Sequence, residues 1–224
     1  MKELNENKIC FIICTNNDAF VNECILYLNR LQVPEGMETD LLTVTEARSM
    51  LSGYKEACEA TDALYKVFLH QDVFILNTGF ISDIKAIFDK DENIGLIGMV
   101  GSPKMPKDYI MWSSKRVGNC FLNGDKTDYS GYRYDVKKDG YDIVEAVDGL
   151  LMAAKGDVIP LLRDDLFDGW DMYDVSLSQE MIRAGKKVAV PRQTMPWCLH
   201  DDGGLLSMFN YNKYRKIAIE AYAK

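Results

Sequence analysis

The stretch Lys66–Ile75 (KVFLHQDVFI) constrains the fold more than any other part of the chain. Val67, Phe68 and Leu69 form an apolar, strand-favouring run; His70-Gln71-Asp72 interrupts it, and Val73, Phe74 and Ile75 resume it. A continuous apolar run reads as a strand covered on both faces, as in a parallel α/β sheet. An unpartnered carboxylate inside such a strand would be costly to bury. Asp72 is therefore expected where the strand ends and a ligand begins, because open α/β sheets bind ligands outside the carboxyl ends of their strands. The bland alternative is an Asp that merely caps a loop.

The same reading extends along the first half of the chain. Lys8–Cys14 (KICFIIC) is a buried strand, and Thr15-Asn16-Asn17-Asp18 after it reads as a turn with a helix N-cap. Phe20, Val21, Cys24, Ile25, Leu28 and Leu31 then recur with a helical period. Asp40–Thr45 is a third strand, and Glu46–Ala60 a helix with Ala47, Met50, Leu51, Tyr54, Ala57 and Cys58 on one face. A short helix near Phe80–Phe88 leads to the strand-like Ile94–Val100. Alternating strands and helices predict right-handed βαβ units on a mostly parallel sheet flanked by helices.

That rhythm breaks at Ser102–Gly140, which carries 8 Lys/Arg against 5 Asp inside a chain of net charge −8. So long a stretch without periodicity is expected to be a lid or hairpin insertion suited to an anionic ligand, or else a plain surface excursion. Ile143–Lys155 reads as a strand broken at Asp148-Gly149. An aromatic turn, Phe167–Asp174 (FDGWDMYD), precedes a helix through Leu177 and Met181. Thr194–Asp202 returns a His-Asp pair, and Leu205–Ala223 has helical spacing.

The acidic balance disfavours non-specific nucleic-acid binding. The six cysteines show no CxxC pair and no zinc spacing with the two histidines. No apolar run is long enough to span a bilayer, and nothing at the N-terminus resembles a signal peptide. A soluble, reduced, cytoplasmic protein is expected, with all 224 residues in one domain.

Chemistry concentrates at few places. Both histidines follow a leucine at the end of an apolar run and have carboxylates beside them: Leu69-His70-Gln71-Asp72 and Leu199-His200-Asp201-Asp202. A lone His is more often structural than a ligand, but the pairing with Asp favours an oxygen-rich cation site, and a His in the shell leans towards manganese over magnesium. Asp171 and Asp174 share a face if the helix begins there. Either is a helix cap or a general base.

Five segments carry a family resemblance: FIICTNN at 11–17, YKVFLHQDV at 65–73, VDGLLMAAK at 147–155, GWDMYDVSLSQEMIRAG at 169–185 and WCLHD at 197–201. Through them the chain resembles family-2-type glycosyltransferases of the GT-A fold, in the branch that includes a streptomycin-biosynthesis-type protein. The resemblance implies a nucleotide-diphospho-sugar donor, UDP- or dTDP-linked, a divalent metal (Mn2+ or Mg2+), an acceptor of unknown identity and an inverting reaction, in the setting of polysaccharide or glycoconjugate synthesis. It places Thr15, Asn16, Glu46, His70, Gln71, Asp148, Gly149 and Trp170 along the nucleotide-sugar. Asp72 and His200 would hold the metal, with HQD standing where the family has Asp-x-Asp. Asp174 would be the catalytic base and Asp171 its rival, with the positive end of the helix keeping Asp174 ionised and Tyr173 bordering the sugar. His70 and Tyr173 depart from the family's more common Asp and Glu. A GT-A scaffold that binds without turnover is the competing reading. A nucleotidyltransferase is disfavoured, because the first turn lacks a Gly-rich phosphate loop.

Overall fold

The computed structural model of the protein describes residues 3–123, 129–133, 140–202 and 208–223. In chain order the elements are β1 (Asn5–Thr15), α1 (Asp18–Leu28), β2 (Glu38–Thr45), α2 (Met50–Ala60), β3 (Ala63–Leu69), β4 (Val73–Ile75), α3 (Phe80–Lys90), β5 (Ile94–Gly98) and β6 (Val100–Ser102). There follow β7 (Val117–Asn123), β8 (Tyr129–Arg133), β9 (Tyr141–Val144), β10 (Ala146–Val147), β11 (Leu151–Lys155), α4 (Tyr173–Arg183), β12 (Lys187–Pro191), β13 (Cys198–His200) and α5 (Met208–Tyr222).

A seven-stranded sheet in the order β2-β1-β3-β11-β5-β12-β9 forms the centre. Strands β2, β1, β3, β5 and β12 run one way, and β11 and β9 run against them. Alternate residues of β1 face opposite layers. Cys10, Ile12 and Cys14 pack with Phe68, with Leu51 and Tyr54 of α2, with Leu177 of α4 and with Tyr214 of α5. Ile9, Phe11 and Ile13 pack with Val67 and Leu69, with Cys24 of α1 and with Phe80 and Ile84 of α3. Helices cover both faces, which is why the strand runs are apolar throughout rather than alternating. All six cysteines lie inside these layers as free thiols.

The His70–Asp72 triplet is where the chain changes sheets. β3 ends at Leu69 in the central sheet, whereas β4 joins a six-stranded sheet, β10-β6-β7-β13-β4, in which β8 pairs with β7. The apolar run is thus two strands in two sheets. β13 returns antiparallel to β4 and sets His200 opposite Val73.

The 102–140 segment is less irregular than its composition suggests. β7 sits inside the second sheet between β6 and β13, and β8 folds back on it as a hairpin. Gly118 opens β7 with φ +100°, and a side chain there would strike the Met99 carbonyl. Residues 124–128 and 134–139 of the expected lid lie outside the described residues. Among the described residues no helix is long and apolar enough to cross a membrane.

Candidate metal and nucleotide-sugar site

The His70–Asp72 turn is closed by the Val73 amide donating to the His70 carbonyl, 3.2 Å, while the His70 amide donates to Leu150, 3.0 Å. The Asp201 amide donates to the Asp72 carbonyl, 2.9 Å, which ties the second histidine segment to the first. These backbone bonds bring together residues that are 130 positions apart. His70 Nδ1 lies 3.4 Å from His200 Nε2, His200 Nε2 lies 3.5 Å from Asp72 Oδ1, and His70 Nδ1 lies 4.0 Å from Asp72 Oδ1.

A triangle with sides of 3.4, 3.5 and 4.0 Å has its centre about 2.1 Å from each corner, the bond length of a small divalent ion to nitrogen or oxygen. These three side chains form the one group among the described residues able to offer three metal ligands. Asp72 Oδ1 is shut off from solvent and makes no hydrogen bond. The His200 imidazole at 3.5 Å is a charge contact, too long to count as a bond to it. A buried carboxylate oxygen without a donor fits a cation. The residues present therefore fit a divalent metal.

Electrostatics agree. Burial lowers the His70 pKa to about 4, helped by His200 and opposed by Asp72, which keeps the imidazole neutral as a ligand must be. Burial would raise Asp72, but His200 and His70 outweigh it and its pKa is lowered. Burial would lower His200, but Asp72 outweighs it and the pKa rises.

Gln71 points the other way along the turn. Its Oε1 accepts from the Thr15 hydroxyl at 2.7 Å and from the amides of Asn16 and Asn17 at 3.1 and 3.0 Å, and its Nε2 donates to Asn16 Oδ1 at 2.8 Å. Gln71 thus locks the β1–α1 turn to the metal turn, and its amide is spent on protein partners. Asn17 caps α1 by accepting from the amides of Ala19 and Phe20.

The second carboxylate centre is built by α4. Asp174 Oδ2 accepts from the Gly149 amide at 3.0 Å and Oδ1 from the Val175 amide at 2.7 Å. The expectation that the helix end keeps Asp174 ionised is not met. Burial and the nearby Asp148 carboxylate outweigh the backbone amides and raise its pKa to about 7. Asp148 is itself pushed up by burial, and its Oδ1 accepts from Leu150 at 2.8 Å. α4 begins at Tyr173, with Met172 before it in the left-handed conformation, φ 63°. Asp171 therefore lies outside the helix and does not share a helical face with Asp174; burial raises its pKa.

Only 4% exposed, Tyr173 hydrogen-bonds His70 Nε2 through its hydroxyl. A β-carbon on Gly149 would overlap that hydroxyl and the ring edge, so Gly149 is a glycine because of Tyr173. Trp170 is 50% exposed, and its loop is pinned by the Met50 amide donating to the Gly169 carbonyl at 3.0 Å. That bond and the Ser49–Ser52 capping box hold the start of α2. Glu46, at φ 59°, opens on a concavity of about 370 Å³ with Arg48, Lys55, Glu56 and Asp164, which no other candidate residue lines. Glu46 and Met172, two of the non-glycine residues with positive φ among the described residues, sit in loops that carry or adjoin candidate residues, where backbone strain commonly accompanies function.

Alternating strands and helices that end in a carboxylate turn, with a late histidine returned to it by a second sheet, define a GT-A-type α/β domain. Residues 10–222 match the family described as glycosyltransferase-like, and the chain belongs to that family; the match singles out no branch of it. Among curated proteins no sequence matches the chain. Solved structures of similar fold include a mannosyltransferase from Pyrobaculum calidifontis in complex with GDP-Man and Mn2+, with a TM-score of 0.58 and 12% identity over 89% of this chain and 58% of that one. Another is GalNAc-T7 with UDP, GalNAc and Mn2+, with a TM-score of 0.61 and 9% identity over 94% of this chain and 48% of that one. A third is S. aureus TarS, with a TM-score of 0.56 and 12% identity over 95% and 39%. The chain spans about half the length of these proteins, and at such identities the likeness is one of fold.

Proposed function

We propose that this chain, as one GT-A-like domain over residues 1–224, transfers a sugar from a nucleotide-diphospho-sugar to an acceptor hydroxyl, using a divalent cation, Mn2+ or Mg2+, at His70, Asp72 and His200. The observation that carries the reading is the buried Asp72 oxygen without a hydrogen bond, between two imidazoles at single-ion spacing. Such an ion offsets charge on a departing nucleoside diphosphate. Thr15, Asn16, Glu46 and Trp170 border the donor, while Gln71 holds the first turn in register with the ion site. Asp148 and Gly149 lie at the same end, where the Gly149 amide donates to Asp174 and the Asp148 carboxylate raises its pKa. Asp174 takes the acceptor proton as the hydroxyl attacks, and a single base acting on a direct displacement gives inversion at the anomeric carbon. A UDP- or dTDP-linked donor is the form we favour; one solved structure of this fold holds UDP. Six buried thiols suit a reducing, cytoplasmic setting.

Incubation with UDP- and dTDP-sugars and Mn2+ is expected to give nucleoside diphosphate by transfer or slow hydrolysis. Tight donor binding without product would instead make the domain a binder.

The pH profile supplies a second check. A base must be ionised, and Asp174 ionises near pH 7 before any cation is present. A bound cation draws that value down. kcat/KM is therefore expected to rise with pH along an acidic limb centred at or below about 7. The sign for stability is opposite. The carboxyl is raised above its unfolded value of about 3.9, so its contribution is fully present below that value and is lost as pH rises through about 7. An acidic limb centred well above 8 would remove Asp174 as the base.

A further inference from the structure

We propose that Tyr173 is a positioning residue: its buried hydroxyl accepts the Nε2–H of His70 and so holds the Nδ1 lone pair of that ring towards the cation position. The inference rests on the reading of His70, Asp72 and His200 as a cation site and assigns that site a fourth, indirect member.

Placement of the protons comes first. In the metal-free protein His200 Nε2 faces Asp72 Oδ1 at 3.5 Å, a charge contact rather than a bond, and it favours the tautomer with the hydrogen on that nitrogen, which a bound cation would displace. The same nitrogen lies 3.4 Å from His70 Nδ1, which is therefore the unprotonated nitrogen of its ring. A neutral imidazole has one proton, which leaves it on Nε2, where the Tyr173 hydroxyl is the partner. Metal-bound histidines commonly donate their second ring N–H in this way, usually to a carboxylate or carbonyl, and the partner fixes tautomer and ring orientation.

Tyr173 is also built not to move. It is the first residue of α4 and 4% exposed. Its ring stands edge-on to Tyr54 with centroids 6.0 Å apart, and Gly149 leaves room for the hydroxyl and nothing larger. Without that oxygen the Nε2–H would face no acceptor. The ring would then turn, or move its proton to Nδ1, and either change removes a ligand.

Tyr173→Phe keeps the ring and deletes only the oxygen, and Gly149→Ala keeps every polar group and displaces it. Binding of Mn2+ alone, followed by the electron paramagnetic resonance of the free ion, is expected to weaken about 10–100-fold in both variants, the usual loss for such a partner. The metal-free proteins also report directly by ¹⁵N imidazole resonances. The chain has only two histidines, so with any affinity tag removed His200→Gln assigns the spectrum. Wild type is expected to show His70 with Nδ1 unprotonated, and Tyr173→Phe a mixture or the other tautomer, with cooperative melting retained. Unchanged Mn2+ affinity in Tyr173→Phe overturns the positioning role, as does weakened affinity with an unchanged tautomer. If wild type takes up no Mn2+ and Asp72→Asn changes nothing, the cation reading itself fails and this inference fails with it.

Discussion

Asp174→Asn is expected to lower turnover by roughly 10²–10⁴-fold, the usual worth of a positioned acid or base, while donor affinity stays near that of the wild type. Each oxygen of Asp174 already accepts one backbone amide, from Gly149 and from Val175. Each keeps a further lone pair, and the carboxyl ionises near neutrality, which matches a base to its task. The same two bonds allow a purely structural role, since they fasten the β10–β11 turn to α4. Asparagine retains one acceptor and turns an NH2 towards the other amide, a local cost of about 1–3 kcal/mol. A structural residue would show that cost in melting temperature and in KM. A base would show its loss in kcat with the acidic limb of the pH profile removed. Asp171→Asn is the comparison. Asp171 lies on the loop before the helix, and its substitution is expected to cost less than about tenfold, short of the range for a positioned base. Near wild-type transfer in Asp174→Asn with a dead Asp171→Asn would reverse the two roles.

The sequence exposed the parts of this site that depend on local pattern. His70-Gln71-Asp72 stood out because polar residues interrupt an apolar run, and His200 because it repeats that context at the end of another. The fold class was legible for the same reason, since strands covered on both faces leave continuous apolar runs. What the sequence hid was anything set by distant partners. Val67–Ile75 looks like one interrupted strand, and only pairing shows that β3 and β4 belong to different sheets. β7 is hidden in the sequence because VGNCFLN is short and without alternation, and its partners are strands before and after it. The ionisation of Asp174 is not legible in the sequence because the helix end is local, whereas burial and Asp148 come from the tertiary fold. His70 shares a residue spacing of two with Asp72, as in Asp-x-Asp, and that spacing is the local signal for its place in the three-residue group. For Gln71 and Tyr173 no local signal existed, since their partners are the β1–α1 turn and His70.

Asp72→Asn is expected to weaken Mn2+ binding by more than about 100-fold, beyond the loss from deleting an indirect partner. Transfer should fall with it at any practical metal concentration. Asp72 is the anionic member of the triad; the other two ligands are imidazoles. Asparagine keeps an oxygen in place but removes the charge, so the ion loses its main Coulombic attraction in a poorly hydrated site. The backbone should survive, because the Asp201 amide bonds the Asp72 carbonyl and not its side chain. His200 should respond too. Asp72 is what raises its pKa against burial, so in the variant that imidazole should titrate lower, a change visible by NMR without metal. Asp72→Glu separates charge from position. It retains the carboxylate but its longer arm overshoots the point about 2.1 Å from all three ligand atoms. Partial Mn2+ binding with poor turnover is the expected result. If Asp72→Asn binds Mn2+ as tightly as wild type, the ion sits elsewhere and the unbonded Asp72 oxygen has another explanation.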